Sequence, residues 1–312
     1  MAPGGLALPP VPEVVYKNKR KKLYSISNNF RGGGDNLKIG LIDVDGHNFP
    51  NLPLMKISAF HKSFGDDVEW FFPLNQYDRV YISKVFDFTP DYEMCIQADE
   101  IIKGGTGYGL ENKLPYEIEN IYPDYELYGI KNTAYGFLTR GCPRNCEFCI
   151  VGRKEGYISH KVADLDQFWR GQKFIKLLDP NILACKDHEE LLKQLIKSGA
   201  WIDFTQGLDA RFLTLDNVKL ISKLKIKMLH FAWDNPNDET VPYMLWHFKK
   251  ATCIDRRKAA VYVLTNFNST FEQDLYRVYK LKELGYDPYV MIYDKQNAPK
   301  KIRELQRWVN NK

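Results

Sequence analysis

One stretch near the middle of the chain decides how its neighbours are interpreted. It runs Thr139-Arg140-Gly141-Cys142-Pro143-Arg144-Asn145-Cys146-Glu147-Phe148-Cys149. Its three cysteines form a Cys-x3-Cys-x2-Cys run directly after an apolar segment, residues 134–138, that predicts a strand. Three closely spaced thiolates on one loop can each bind one iron of a four-iron cluster. The spacing therefore predicts a cluster whose fourth iron lacks a protein ligand and is open to a substrate or cofactor.

This segment is similar to the cluster loop of radical S-adenosylmethionine (SAM) enzymes in three respects: the cysteine spacing, the aromatic Phe148 before the last cysteine, and the position at the end of a strand. The resemblance implies a [4Fe–4S] cluster on Cys142, Cys146 and Cys149, with SAM at the open iron. It also implies that one electron from the reduced cluster breaks SAM to methionine and a 5′-deoxyadenosyl radical, which abstracts hydrogen from a substrate. A reductant such as flavodoxin or ferredoxin is implied as a partner, and the substrate stays unidentified.

The cysteines also allow other interpretations. The cluster with His160 could form a zinc site of three cysteines and one histidine, although the gap between Cys149 and His160 is long for a single knuckle. A zinc-stabilised binding protein is therefore the alternative of another class. A disulfide is the weakest interpretation, because pairing within the cluster leaves an odd thiol. Cys95, Cys185 and Cys253 are scattered, and we expect each to be a small packing residue.

Composition indicates a soluble globular protein. The chain has 312 residues, of which 44% are hydrophobic and 27% are charged, as in one large domain or two moderate ones. It contains no apolar run long enough to span a membrane, which takes about 18 residues, and residues 1–10 lack the pattern of a secretory signal. Six cysteines, three of them clustered, suit a reducing compartment. We expect a cytoplasmic protein with no membrane partner.

The positive charge is concentrated at the N-terminus. Residues 1–36 hold six basic and two acidic residues, which is +4 of the net charge of +5. The body of the chain is thus close to neutral and does not indicate a broad phosphate-binding face. We expect residues 1–36 to be a flexible basic extension, and a nucleic-acid partner is not supported beyond it.

Residues 37–125 predict a small Rossmann-like α/β domain. Strands are predicted at Lys38–Asp43, Val68–Phe72 and Arg79–Val85, with a helix that starts near Pro53. The turn 104–107, Gly-Gly-Thr-Gly, follows a further predicted strand, at the edge where such sheets bind ligands. It lacks the G-x-G-x-x-G spacing, so a dinucleotide fingerprint is not indicated.

This region resembles the cobalamin-binding-like domain that precedes many radical SAM barrels, through the glycine turn and the connector Leu114–Glu119. The family motif that supplies histidine to cobalt is Asp-x-His-x-x-Gly. Here residues 45–50 have Pro50 in place of the last glycine, and the domain is short. We therefore expect a degenerate scaffold in which His47 does not ligate cobalamin. A cobalamin-dependent radical SAM methyltransferase is the alternative on the same fold.

From residue 126 to 312, predicted strands alternate with predicted helices. The six strands are Thr133–Thr139, Lys173–Leu178, Trp201–Thr205, Lys227–Ala232, Ala259–Thr265 and Pro288–Tyr293. This alternation predicts an open partial (β/α)6 barrel rather than the closed eight-fold form. Radical SAM enzymes share that architecture, so fold pattern and cysteine pattern agree.

Polar residues follow four of these strands, at the ends where parallel barrels place their active sites. The predicted SAM-binding residues are Phe148, Asp179, Asn181, Gln206, Asp209, Arg211, Asp234 and Asn266. An anion or amide suits the ammonium of SAM, and a guanidinium suits its carboxylate. The Asp-Pro-Asn turn at 179–181 stands where the family usually has Gly-Gly-Glu, and residues 207–211 match a motif of related barrels. The ordinary alternative for each is a helix cap or loop turn.

Overall fold

The computed structural model describes residues 36–46 and 49–311. The first layer contains β1 (Lys38–Asp43), α1 (Leu52–Ser63), β2 (Asp67–Trp70), β3 (Tyr77–Ser83), β4 (Ala98–Gly104) and the short α2 (Tyr116–Glu119). Its four strands pair in parallel in the order β2-β1-β3-β4, which confirms the predicted strands and helix. His47 and residues 1–35 of the basic extension lie outside the described residues.

The rest of the chain contains a second, six-stranded sheet, a separate two-stranded ladder, and six helices among the described residues. These are β5 (Thr133–Gly136), β6 (Thr139–Arg140), α3 (Val151–Glu155), β7 (His160–Lys161), β8 (Phe174–Leu177), α4 (His188–Ser198), β9 (Trp201–Leu208), α5 (Leu215–Ile221), β10 (Lys225–Ala232), α6 (Thr240–Thr252), β11 (Ala259–Thr265), α7 (Phe271–Glu283), β12 (Asp287–Ile292) and α8 (Lys300–Asn310). Strands β6 and β7 form the separate ladder, and six strands pair in parallel in the order β12-β11-β10-β9-β8-β5. They follow the chain order, β5 and β12 are the two edges, and within the described residues the sheet does not close.

Several predicted strand boundaries differ from the structure by one or two residues, and two ends in the second sheet are wrong by three. The first strand was expected to reach Thr139, but β5 ends at Gly136, and Thr139 pairs antiparallel with Lys161 of β7. The reason is that the Leu138 and Thr139 amides donate to the carboxylate of Asp179 and not to a strand. The third strand was expected to end at Thr205, but β9 continues to Leu208 through an irregularity in its pairing with β10.

The helices follow local sequence signals. Thr270 and Gln273 form a reciprocal capping box at the start of α7, which satisfies amide donors that a helix start leaves unpaired. Gly199 ends α4 with φ of 64°, a conformation that favours glycine. Between these ends, α4 buries Leu191, Leu192 and Leu195 against the sheet.

One apolar core joins the two layers. Leu52 and Met55 of α1 belong to the same buried cluster as Ala134 and Leu138, which flank the cysteine loop on its N-terminal side. At the far edge of the sheet, α8 covers β12: Gln306 and Asn310 donate to the carbonyl oxygen of Val290, each at 3.0 Å. Such coverage blocks edge-to-edge association. No helix in the described ranges combines the length and the apolar character that a membrane span requires.

Candidate active site

The cysteine loop leaves the sheet between β6 and α3 and is fixed at its start. Gly141 has φ of 83°, and a side chain there would overlap the carbonyl oxygen of Ile158. The carboxylate of Glu155 accepts a hydrogen bond from the Gly141 amide at 3.2 Å and pairs with Arg140 at 2.6 Å. These contacts explain why glycine precedes the first cysteine.

The three cysteines of the loop are half-buried and free of disulfides. Burial raises the pKa of Cys146 and of Cys149, and the negative charge of the neighbouring cysteines raises it further. The three thiols are therefore close enough for the charge on one to affect the pKa of another. Three thiols on one loop suit iron–sulfur clusters and soft metal ions.

His160, which the zinc interpretation requires, does not complete a metal site in the part of the chain that the structure describes. Within the described residues, no three His, Cys, Asp or Glu side chains are grouped around the position of a single metal ion. His160 is exposed, and its Nδ1 faces the carbonyl oxygen of Ile158 at 3.1 Å, so the set of three cysteines and one histidine is not assembled.

The other three cysteines lie elsewhere. Cys185 is 1% exposed and packs in the interior, as expected. Cys95 and Cys253 are exposed, so the expectation that they are packing residues is wrong. Cys253 ends α6 in the left-handed conformation, with φ of 49°.

A cavity of about 240 Å³ opens between the cysteine loop and the carboxyl ends of the strands. Its lining combines charged, amide and aromatic side chains: Arg144, Asn145, Cys146, Glu147, Phe148, Arg211, Asp234, Asn235, Asp238, Val241, Phe267 and Asn268. Of the predicted SAM-binding residues, Phe148, Arg211 and Asp234 line this cavity. The rings of Phe148 and Phe267 meet edge to face at a centroid distance of 5.4 Å.

Arg211 is held between two carboxylates. Its Nε donates to Oδ1 of Asp209 at 2.7 Å, and its Nη1 donates to Oδ2 of Asp238 at 3.0 Å. Asp209 also caps a short 3-10 helix by accepting the Arg211 amide, and its Oδ2 lies 3.7 Å from Nε of Arg144. Asp209 and Arg211, each predicted to bind SAM, therefore form an ion pair with one another, and Arg211 lines the cavity.

Asp234 faces the cavity from the end of β10. Burial raises the pKa of this carboxyl to about 6, although the positive charge of Arg277 acts in the opposite direction. Arg277 is fully buried and donates to the carbonyl oxygens of Trp233 at 2.6 Å, Asp234 at 2.9 Å and Leu264 at 2.8 Å. It therefore ties the ends of β10 and β11 together under the cavity.

Asp179 and Asn181 lie outside the cavity lining, under the cysteine loop. Asp179 is 4% exposed and accepts hydrogen bonds from the amides of Leu138 and Thr139 and from the Thr139 hydroxyl at 2.7 Å. Burial raises its pKa to about 6 against the effect of these bonds. Asn181 is 2% exposed, and its Nδ2 lies 3.5 Å from Sγ of Cys142.

Two further predicted residues lie outside the cavity lining. Gln206 is exposed inside β9, not after it. Asn266 adopts φ of 60° and donates to the carbonyl oxygen of Tyr293 at 2.8 Å, so its amide stabilises the turn after β11. The neighbouring Phe267 and Asn268 line the cavity in its place.

Sequence reasoning missed several residues of this region. Arg144, Asn235, Asp238 and Phe267 line the cavity, but they lie one to four residues from residues that were predicted. Arg277 carried a usable signal, because it shares the buried stripe of α7 with Asp274, Val278 and Leu281. An Asp and an Arg three apart on an apolar stripe indicate a buried ion pair.

The glycine turn of the first sheet is packed against its own layer. Side chains at Gly105 and Gly107 would overlap the carbonyl oxygens of Lys84 and Phe86. Lys154 of α3 donates to the hydroxyl of Thr106 in the same turn. The glycines thus permit a close approach of backbone to backbone, and the turn contacts the helix that follows the cysteine loop.

No protein-family model matches the chain, and no curated protein matches it. Among solved structures it is similar to Streptococcus suis SuiB bound to precursor peptide SuiA, at 11% identity over 58% of this chain and 46% of that chain, with a TM-score of 0.43. SuiB bound to S-adenosylmethionine matches at 12% identity over 58% of this chain and 47% of that chain, with a TM-score of 0.43. The chain spans less than half the length of these structures. At these TM-scores the likeness decides neither fold nor function.

Proposed function

We propose that this protein is a radical SAM enzyme that binds a [4Fe–4S] cluster through Cys142, Cys146 and Cys149. The observation that carries the proposal is the position of the three-cysteine loop, at the carboxyl edge of six parallel strands and beside a polar cavity. Bound there, the cluster supplies an electron for reductive cleavage of SAM, and the resulting radical removes hydrogen from the substrate. The chain supplies binding, orientation and exclusion of water.

We assign the cavity to SAM. Arg144 is 40% exposed at its side chain and has one ion pair at 3.7 Å, so it is available to the SAM carboxylate. Arg211 also lines the cavity but is already paired with two carboxylates, so it stays a predicted contact. Asp234 suits the ammonium, because it is an anion at the end of β10 within the cavity. Phe148 and Phe267 offer ring faces and edges to the adenine.

The residues under the loop have a different proposed role. The buried contacts of Asp179 favour holding the backbone that leads into the loop over contact with SAM. Asn181 is buried with its side-chain amide against Sγ of Cys142, which favours a role toward the loop over contact with the SAM ammonium.

The ion pair of Asp209 with Arg211 favours support of the cavity wall, and the bond of Asn266 to Tyr293 favours support of the turn after β11. Gln206 stays a predicted SAM contact.

The first sheet acts in this proposal as a degenerate scaffold, without cobalamin, that supports the cysteine loop through α3. A reductant such as flavodoxin or ferredoxin supplies electrons, and the substrate is unidentified. All six cysteines are unpaired by disulfides in the described chain, which favours the reducing cytoplasm as its location.

The test is anaerobic reconstitution followed by metal, sulfide and product analysis. We expect about four irons and four sulfides per chain. We also expect that SAM releases 5′-deoxyadenosine under dithionite, which chromatography measures. Stoichiometric zinc in the protein as isolated, without iron uptake, would contradict the proposal and favour a zinc-stabilised binding protein. If the cluster forms, the reconstituted protein is incubated with cell extract, and mass spectrometry of the product identifies the substrate.

A further inference from the structure

Asn181 uses its side chain in an unusual way. Its Nδ2 donates to Sγ of Cys142 at 3.5 Å, and its backbone carbonyl accepts from the Ser159 hydroxyl at 3.0 Å. Its Oδ1 is buried without a hydrogen-bond partner among the described residues. Buried amides usually satisfy both their donor and their acceptor. The side chain is therefore held in a position that serves its donor.

The ordinary role of an asparagine at this position is not fulfilled. Asn181 directly precedes the 3-10 helix Ile182–Ala184, where asparagine commonly accepts an amide hydrogen as a cap. Its side chain makes no such bond. By contrast, Asp209 does cap the equivalent 3-10 helix Ala210–Phe212 after β9. The amide of Asn181 is directed to the sulfur at the expense of a cap.

The three cysteines differ in their hydrogen-bond environment. Cys142 faces the side-chain amide of Asn181. At Cys149, the backbone amide of Val151 acts against the burial that raises the pKa of the thiol. The thiol of Cys146 lies 4.0 Å from the carbonyl oxygen of Arg144, a contact in which sulfur donates and which a thiolate cannot make. Cys142 is thus the cysteine for which the described residues provide a buried side-chain donor.

We propose that Asn181 is a positioning residue that donates a hydrogen bond to the Cys142 thiolate and raises the reduction potential of the cluster. This inference rests on the proposed function, because it requires a cluster bound through Cys142. An added electron increases the negative charge on the sulfurs, so a donor stabilises the reduced form more than the oxidised form. Hydrogen bonds to sulfur are among the factors that set cluster potentials, and residues behind metal ligands commonly tune the metal in this way.

The experiment compares Asn181→Leu with Ser159→Ala. The leucine keeps similar bulk and removes the donor, whereas the control removes a hydroxyl that contacts Asn181 but not the sulfur. The midpoint potential of each reconstituted protein is measured by redox titration followed by electron paramagnetic resonance. In Asn181→Leu, we expect the ratio of reduced to oxidised cluster at a fixed potential to fall about three- to tenfold, which corresponds to about 30–60 mV at 59 mV per tenfold change. Iron content should match the parent, and Ser159→Ala should keep the parent potential.

A second measurement decides the matter if Asn181→Leu does not retain iron. Protein labelled with ¹⁵N at asparagine side chains should show a weak nitrogen coupling to the reduced cluster in pulsed electron paramagnetic resonance. Its absence in the parent, or an unchanged midpoint in an iron-replete Asn181→Leu, would overturn the role of Asn181 and leave the proposed function intact. Failure of the parent itself to take up iron and sulfide would instead overturn the proposed function.

Discussion

The two parallel sheets end in similar polar loops but use them differently. At the edge of the first sheet, Asp45 accepts from the Thr89 hydroxyl at 2.7 Å, Asp43 accepts from the Tyr128 hydroxyl at 2.7 Å, and the glycine turn packs on the backbone after β3. At the edge of the second sheet, Arg211 and Asp234 border a cavity beside three free thiols. Polar strand ends therefore indicate where a site can form. Whether these polar side chains already bond other groups of the chain distinguishes an edge that supports the fold from one that can bind a ligand.

The largest effect should come from the thiols of the second edge. Cys142→Ala, Cys146→Ala or Cys149→Ala should each abolish cluster uptake, because each thiolate binds one iron and the loop offers no replacement. The buried Cys185 lies outside the loop, so Cys185→Ala is the matched control and should retain parent iron content. Iron and sulfide analysis after anaerobic reconstitution gives the answer. A full complement of iron and sulfide in any of the three loop variants would show that the replaced thiol does not bind the cluster, and would contradict the difference drawn between the two edges.

A smaller effect should distinguish the aspartates of the two edges. Asp179→Ala leaves the buried amides of Leu138 and Thr139 without an acceptor, and the loss of such bonds costs about 2–4 kcal/mol of unfolding free energy. Asp45→Ala removes bonds at a more exposed site, where the expected cost is about 1 kcal/mol. Urea denaturation of both variants measures the difference. Equal losses of unfolding free energy would show that the Asp179 contacts below the cysteine loop stabilise the fold no more than the Asp45 contacts at the first edge.

The sequence predicted the strands of both sheets because buried parallel strands are short apolar runs between polar loops. It selected Arg211 and Asp234 because strand ends gather at one edge, and both line the cavity together with Phe148; that they bind SAM stays a prediction. It could not separate Asp179 from them. The Asp179 carboxylate accepts from the amides of Leu138 and Thr139 because β5 ends early, at Gly136. The only local signal for that early end is Gly136 itself, where a side chain would overlap the ring of Phe168.

A third prediction concerns the glycine turn of the first edge. Gly105→Ala should lower the unfolding free energy by roughly 1–3 kcal/mol through backbone strain alone. The overlap of the new side chain with the Lys84 carbonyl should add to that loss. Gly129→Ala is the control: Gly129 also has positive φ, 63°, but its side chain would meet open space. Denaturation of both variants, with iron content as a second readout, separates strain from overlap. A Gly105→Ala variant no less stable than Gly129→Ala would mean that the turn has room for a ligand.

The smallest effect should be a pH dependence at the second edge, which follows from Asp234. Burial raises the pKa of this carboxyl to about 6, so the folded chain favours its protonated form. Its contribution to stability is therefore present below about pH 4 and is lost as the pH rises through about 6. Binding of a cation has the opposite sign, because the SAM ammonium requires the carboxylate. We expect SAM affinity to fall roughly tenfold from pH 7 to pH 5, a change of about 1.4 kcal/mol.

Calorimetric titration of the reconstituted protein with SAM across this pH range measures that slope. Asp234→Asn should bind more weakly and without the slope, since the amide does not titrate. Asn235→Ala, which changes an uncharged residue of the same cavity, should keep the slope. If Asp234→Asn kept the parent slope, the ammonium would lie elsewhere. A retained slope requires another titrating group, so the carboxylates of Glu147 and Asp238, which line the same cavity, would then be the next candidates for the ammonium.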